Sequence, residues 1–114
     1  MAPWIKYKDE VLEIDLARHT VIINGRIVQL LPTEFRLLQT LVTNLGLVLS
    51  KTRLLDLASH RDHVLDNTMR IYISRLRRKL GGNRASIIKT IRGFGYRYNA
   101  TGKPIWWHDL ERRL

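Results

Sequence analysis

Ten basic side chains stand between Asp66 and Asp109 with no carboxylate among them: Arg70, Arg75, Arg77, Arg78, Lys79, Arg84, Lys89, Arg92, Arg97 and Lys103. The rest of the chain holds ten basic and ten acidic residues, so this block carries the whole net charge of +10. Like charges at this density repel one another and attract polyanions. A solvated basic face explains a few scattered lysines. An arginine-rich, acid-free block points first to nucleic acid, because arginine pairs bidentately with guanine O6 and N7 in a DNA major groove.

Other chemistry-bearing residues are sparse. With no cysteine there is no disulfide, thiolate zinc site or cysteine nucleophile. His19 and His108 stand apart, while His60 and His63 flank Asp62 without a fourth ligand. That trio reads as polar loop residues rather than a metal site. Asp9, Glu10, Glu13 and Asp15 read as a solvated sheet face, not an acid/base pair. No glycine-rich phosphate loop opens a helix and no nucleophile elbow occurs. Neither enzyme activity nor a cofactor is expected.

The basic residues need elements to position them. Leu12, Ile14 and Leu16 alternate with Glu13 and Asp15, the pattern of a half-buried strand. Runs 19–23 and 26–30 meet across Asn24-Gly25, a strong hairpin signal, because a type I′ turn needs positive φ at both central residues. Ile5 to Tyr7 supplies a further strand. Helical spacing begins at Pro32, with Phe35, Leu38, Leu41, Val42 and Leu45 on one face and Gly46 at the end. Leu47 to Leu49 is an extended connector. Ser50 caps a second helix with Leu54, Leu55, Leu57 and Ala58 as its apolar residues.

A third helix is expected from Asp66 or Asn67 to Leu80, stopped by Gly81-Gly82. Met69, Ile73, Leu76 and Leu80 form its core stripe. At about 100° per residue the opposite face carries Asn67, Arg70, Ile71, Ser74, Arg75 and Arg78. Ile71 is poorly suited to water there but can touch a thymine methyl. Residues 87–92 and 96–98 then form a hairpin tipped by Gly93-Phe94-Gly95. Its Arg92, flanked by Arg97, suits the negative potential of a narrow minor groove.

At 114 residues the chain is one domain's length, with no apolar run long enough for a membrane helix and no signal core at the N-terminus. A cytoplasmic location fits. The order of elements is α+β: an antiparallel sheet over 5–30, three helices over 32–80 and a hairpin wing over 87–98. That is a winged helix-turn-helix DNA-binding domain over 1–100, with 101–114 as a C-terminal extension.

The motifs also resemble a known family. Pro32-Thr33-Glu34-Phe35-Arg36-Leu37-Leu38, Val48-Leu49-Ser50-Lys51, Arg75-Leu76-Arg77-Arg78-Lys79-Leu80 and Thr90-Ile91-Arg92-Gly93-Phe94-Gly95-Tyr96-Arg97 are similar to the OmpR/PhoB-type effector domain of bacterial response regulators. The resemblance covers about residues 5–98. It implies sequence-specific duplex DNA binding in transcription control, with 67–80 as the recognition helix. By the same resemblance Lys51 touches phosphate, and Asn67, Arg70, Ile71, Ser74 and Arg75 face base edges or nearby phosphates. Thr68, Arg77, Arg78 and Thr90 face the backbone, Arg92 is the wing arginine, and loop 59–65 meets RNA polymerase in some members. Without a coiled-coil or cysteine-based dimer element, the resemblance points to a solution monomer binding as a tandem pair. Its half-sites would lie about 10–11 base pairs apart.

The sequence departs from the family in places. Leu31 replaces the usual capping residue before Pro32. Arg70 stands where an acid is common, Ser74 where a basic or polar residue is common, and a Trp-Gly pair is absent near Ala58-Ser59-His60. No base preference carries over. Trp106-Trp107 in the tail can pack on the domain, form a partner surface or sit in an unstructured extension; packing is favoured, because adjacent exposed tryptophans promote aggregation. The sequence leaves open whether a receiver domain precedes this module. The alternative reading is a basic adaptor that binds RNA or an acidic protein.

Overall fold

The computed structural model describes residues 4–58, 66–81 and 87–108, with 66–68 described as backbone alone. They fall into two units, 4–29 with 100–108, and those between 30 and 99. The described part of the tail, 101–108, therefore groups with the N-terminal strands, whereas the sequence pattern sets the tail apart from a domain over 1–100.

In the first unit, strands β1 (Lys6–Lys8), β2 (Leu12–Asp15), β3 (Thr20–Ile23), β4 (Arg26–Val28) and β7 (Ile105–Trp107) form an antiparallel sheet ordered β4-β3-β2-β1-β7. The alternation predicted at Leu12 and Ile14 holds, whereas Leu16 lies beyond β2 and is half-buried; β3 alternates in the same way. Leu12, Ile14, Val21 and Ile23 are buried, while Glu13, Asp15, Thr20 and Ile22 are half-buried. Asn24 and Gly25 join β3 to β4 at φ 52° and 75°, the signs a type I′ turn requires.

Two findings in this unit differ from expectation. Asp9 is 5% exposed rather than solvated. Its Oδ1 accepts the Val11 and Leu12 N–H groups at 2.8 and 2.9 Å, and its Oδ2 accepts the Tyr7 O–H at 2.7 Å. Short side-chain-to-backbone bonds of this kind fix a tight turn, here between β1 and β2. Second, β7 pairs with β1, setting Lys6 opposite Trp107 and Tyr7 opposite Trp106. Pairing sends the two tryptophans to opposite faces. The Trp106 ring lies 5.3 Å from that of Tyr7, and Lys6 Nζ lies 5.2 Å from the Trp107 ring.

The second unit holds α1 (Pro32–Thr43), α2 (Lys51–Ala58), α3 (Asp66–Leu80) and the hairpin β5 (Ile88–Ile91) and β6 (Gly95–Tyr98). Helix α1 starts without a capping side chain at Leu31. Its first turn is fixed from the other side, by Glu34 Oε1 accepting the Leu31 N–H at 2.8 Å. The helix ends at Thr43, where Asn44 Nδ2 donates to the Thr40 carbonyl at 2.8 Å, so Leu45 lies beyond it and is half-buried. Ser50 caps α2 as expected, its Oγ accepting the Arg53 N–H at 3.1 Å. Only Leu54 and Ala58 of α2 are buried; Leu55 is half-buried and Leu57 exposed. The α3 stripe of Met69, Ile73, Leu76 and Leu80 is fully inside.

The connector before α2 does more than extend. Leu49 exchanges both backbone hydrogen bonds with Tyr96, at 2.8 and 2.9 Å, and so adds an antiparallel bridge to the wing. Gly95 is the first residue of β6 and not part of the turn. A Cβ there would collide with the Leu49 carbonyl oxygen and stand 2.8 Å from its carbonyl carbon. Only glycine lets the two backbones approach this closely.

Candidate nucleic-acid interface

Because its core stripe is fully buried, α3 turns its opposite face outward. Arg70, Ile71, Ser74, Arg75 and Arg78 are all exposed, Ile71 at 47%. These residues span roughly 140° of arc at about 100° per residue. Asn67 and Thr68 lie on the same helix, in the part described as backbone alone. Arg77 sits at the edge of the face toward the wing. Its Nε and Nη2 donate to the Ile88 carbonyl at 3.0 and 2.7 Å, and Nη2 donates to Thr90 Oγ1 at 2.7 Å. The guanidinium also lies 5.9 Å from the Tyr96 ring.

Arg77 and Thr90, both expected on the DNA backbone, are thus turned to each other. They lock α3 to β5 with charge-assisted bonds, each worth about 1.5–3 kcal/mol. The resemblance to other effector domains did not reveal this positioning role.

Lys79 departs from the unpaired block as well. Its Nζ lies 2.6 Å from Oε1 of Glu34, a fully buried residue on α1. The acid comes from outside the acid-free segment, which is why counting along the chain missed it. Among the described residues no carboxylate pairs with Arg70, Arg75, Arg78, Lys89, Arg92, Arg97 or Lys103.

The wing turn is Arg92-Gly93-Phe94, closed by the Phe94 N–H donating to the Ile91 carbonyl at 2.9 Å with Gly93 at φ 82°. Arg92 is therefore in the turn itself and exposed. Arg97 is not beside it. It sits on β6 opposite Lys89, half-buried, with Nε donating to Asn99 Oδ1 at 2.9 Å. Between wing and helices lies a cleft of about 380 Å³, bordered by Lys51, Arg70, Thr90, Arg92, Phe94 and Tyr96 among others. Three cations from three separate elements face one concavity.

The pairing of an arginine-bearing helix with a basic wing is the arrangement of a known domain type. The family model described as "Transcriptional regulatory protein, C terminal" matches residues 25–98. The chain belongs to this OmpR/PhoB-type family. The phosphate regulon transcriptional regulatory protein PhoB of Rhizobium meliloti is 40% identical over 87 residues, covering 75% of this chain and 38% of that protein. The chain spans about two fifths of the length of the curated relatives it matches. Among solved structures, the RstA DNA-binding domain of Klebsiella pneumoniae in complex with the RstA box superposes with a TM-score of 0.71 at 30% identity. That match covers 82% of this chain and 96% of that one. The DNA-binding domain of E. coli CadC gives 0.77 at 26% identity, covering 93% and 100%.

Among the described residues no three of His, Cys, Asp and Glu gather into a metal-like group. His60, Asp62 and His63 lie outside the described residues, as do Arg84 and loop 59–65. No helix among the described residues is long and apolar enough to cross a membrane.

Proposed function

We propose that this OmpR/PhoB-type domain binds duplex DNA sequence-specifically in transcription regulation, as the effector part of a response regulator. The observation that carries the reading is the shared frame of α3 and the wing. Arg77 ties the helix to β5, so the exposed α3 face and Arg92 approach one duplex as a single piece. A major groove about 12 Å wide admits one helix. Seated there, α3 directs Ile71, Ser74 and Arg75 at base edges, while the wing turn directs Arg92 at the adjacent minor groove; Asn67 joins the base-edge set by family likeness alone. Lys51, Arg70 and Arg78 then meet phosphate, with Thr90 and Arg97 near the backbone and Thr68 added there by family likeness alone. Arg70 is assigned to phosphate because it lines the cleft beside Lys51 and Arg92.

The proposal extends beyond this chain. It includes tandem occupancy of half-sites by two copies, a contact between loop 59–65 and RNA polymerase, a cytoplasmic location and control by a receiver domain in the whole protein. Each is suggested by the family likeness.

Titration of variants against cognate and unrelated duplexes tests the assignment. Arg75→Ala is expected to cost about 1–3 kcal/mol on the cognate site and little elsewhere, which relaxes base preference. Lys51→Ala is expected to weaken both duplexes alike and to lower the salt slope by about one. The reverse pattern would place the wrong helix in the groove. Binding without any sequence preference would favour the adaptor reading, with RNA or an acidic protein as partner.

A further inference from the structure

We propose that Phe94, at the apex of the wing, packs its ring on deoxyribose of the DNA strand whose phosphates lie on Lys51 and Arg70, beside the groove that Arg92 enters. The proposal rests on the DNA-binding reading above and assigns a contact to a residue outside the charged set. Phe94 is 73% exposed. The turn uses only its backbone, since the N–H to the Ile91 carbonyl would form with almost any residue there. Among the described residues its ring has no aromatic or cationic partner. The fold thus leaves a large apolar side chain in water at the tip of an otherwise basic element.

The surroundings say what would cover it. Phe94 borders the same cleft as the three cations. A nucleic-acid backbone alternates phosphate anions with sugar rings whose C–H faces are apolar. The cleft offers a partner for each, with Lys51 and Arg70 for phosphate and one exposed ring for sugar. An arginine in a minor groove also brings its near neighbours against the groove walls, which are made of those sugars. Phe94 stands two residues from Arg92 in the same turn. A sugar contact carries no base code and releases no counterions, so its signature differs from that of every cation around it.

The test is the binding of wild type, Phe94→Ala, Phe94→Leu and Arg92→Ala to one fixed cognate duplex over a series of salt concentrations, read by fluorescence anisotropy. Thermal melts confirm that each variant is folded. Phe94→Ala should bind about tenfold more weakly at every salt concentration with an unchanged salt slope, as loss of a buried aromatic contact requires. Phe94→Leu should recover part of the loss, and Arg92→Ala should lower the slope by about one. Phe94→Ala binding within twofold of wild type would overturn the proposal and leave the apex for a protein partner. A lowered slope for Phe94→Ala would also overturn it, because the ring would then act by placing Arg92. A wild type without salt-dependent duplex binding would overturn the DNA-binding reading itself.

Discussion

Glu34→Ala is expected to lower the unfolding free energy by about 2–4 kcal/mol, a large share of the 5–15 kcal/mol typical of a domain. Glu34 is fully buried at the third position of α1. Its Oε1 accepts both the Leu31 N–H at 2.8 Å and the Lys79 ammonium at 2.6 Å. One carboxylate therefore caps α1, in place of the missing capping side chain, and holds the last turn of α3 to the first turn of α1. Removing it strands an N–H and a partly buried cation. Alanine returns only a few tenths of a kcal/mol in helix propensity. The Lys79 side chain is about one third exposed at 35%, which is why the expected loss is below that for a wholly buried pair. Urea unfolding followed by circular dichroism measures it. Glu34→Gln, which keeps an acceptor for Leu31, should lose less. Glu34→Met with Lys79→Met should recover the part of the loss that comes from the stranded ammonium, but not the part that comes from the Leu31 N–H. A Glu34→Ala variant within 1 kcal/mol of wild type would contradict this assignment.

Gly95→Ala should be nearly as damaging, by about 2–4 kcal/mol, and for a different reason. The new Cβ has no room against Leu49 O and stands 2.9 Å from Ser50 Cα. These are backbone atoms, which cannot swing aside as a side chain tip can. Relief requires breaking the Leu49–Tyr96 bridge and with it the seating of the wing beside α2. Gly93 supplies the control. It has φ 82° but open space where a methyl group would stand, so Gly93→Ala should cost only the backbone strain, about 1 kcal/mol. Thermal and urea denaturation of the two variants compares them directly. Equal losses would mean that the approach of Leu49 to β6 is not what demands glycine at 95.

What the sequence made legible follows from how local each signal is. The spacing of Met69, Ile73, Leu76 and Leu80 identified α3 to within a residue and thereby its outward face. Asn24-Gly25 identified the β3–β4 hairpin, because the turn type constrains two adjacent residues. Features that depend on distant partners were not readable. The strand at Ile105–Trp107 is three residues long and exists by pairing with Lys6–Lys8 at the other end of the chain. Arg77 and Lys79 read as two more cations in a basic block. Their partners, Ile88, Thr90 and Glu34, are fixed only when the helices and wing come together. Gly95 read as a turn residue, and its true constraint comes from Leu49.

The most direct measurement of the central claim is selection of bound duplexes from a random pool by this domain, followed by titration of the enriched sequence at physiological salt. Sequence-specific recognition through α3 and the wing predicts one enriched motif, repeated at about 10–11 base pairs, bound at least about 10³-fold more tightly than unrelated DNA. A pool that stays random through successive rounds, with equal affinity for every duplex, would contradict it.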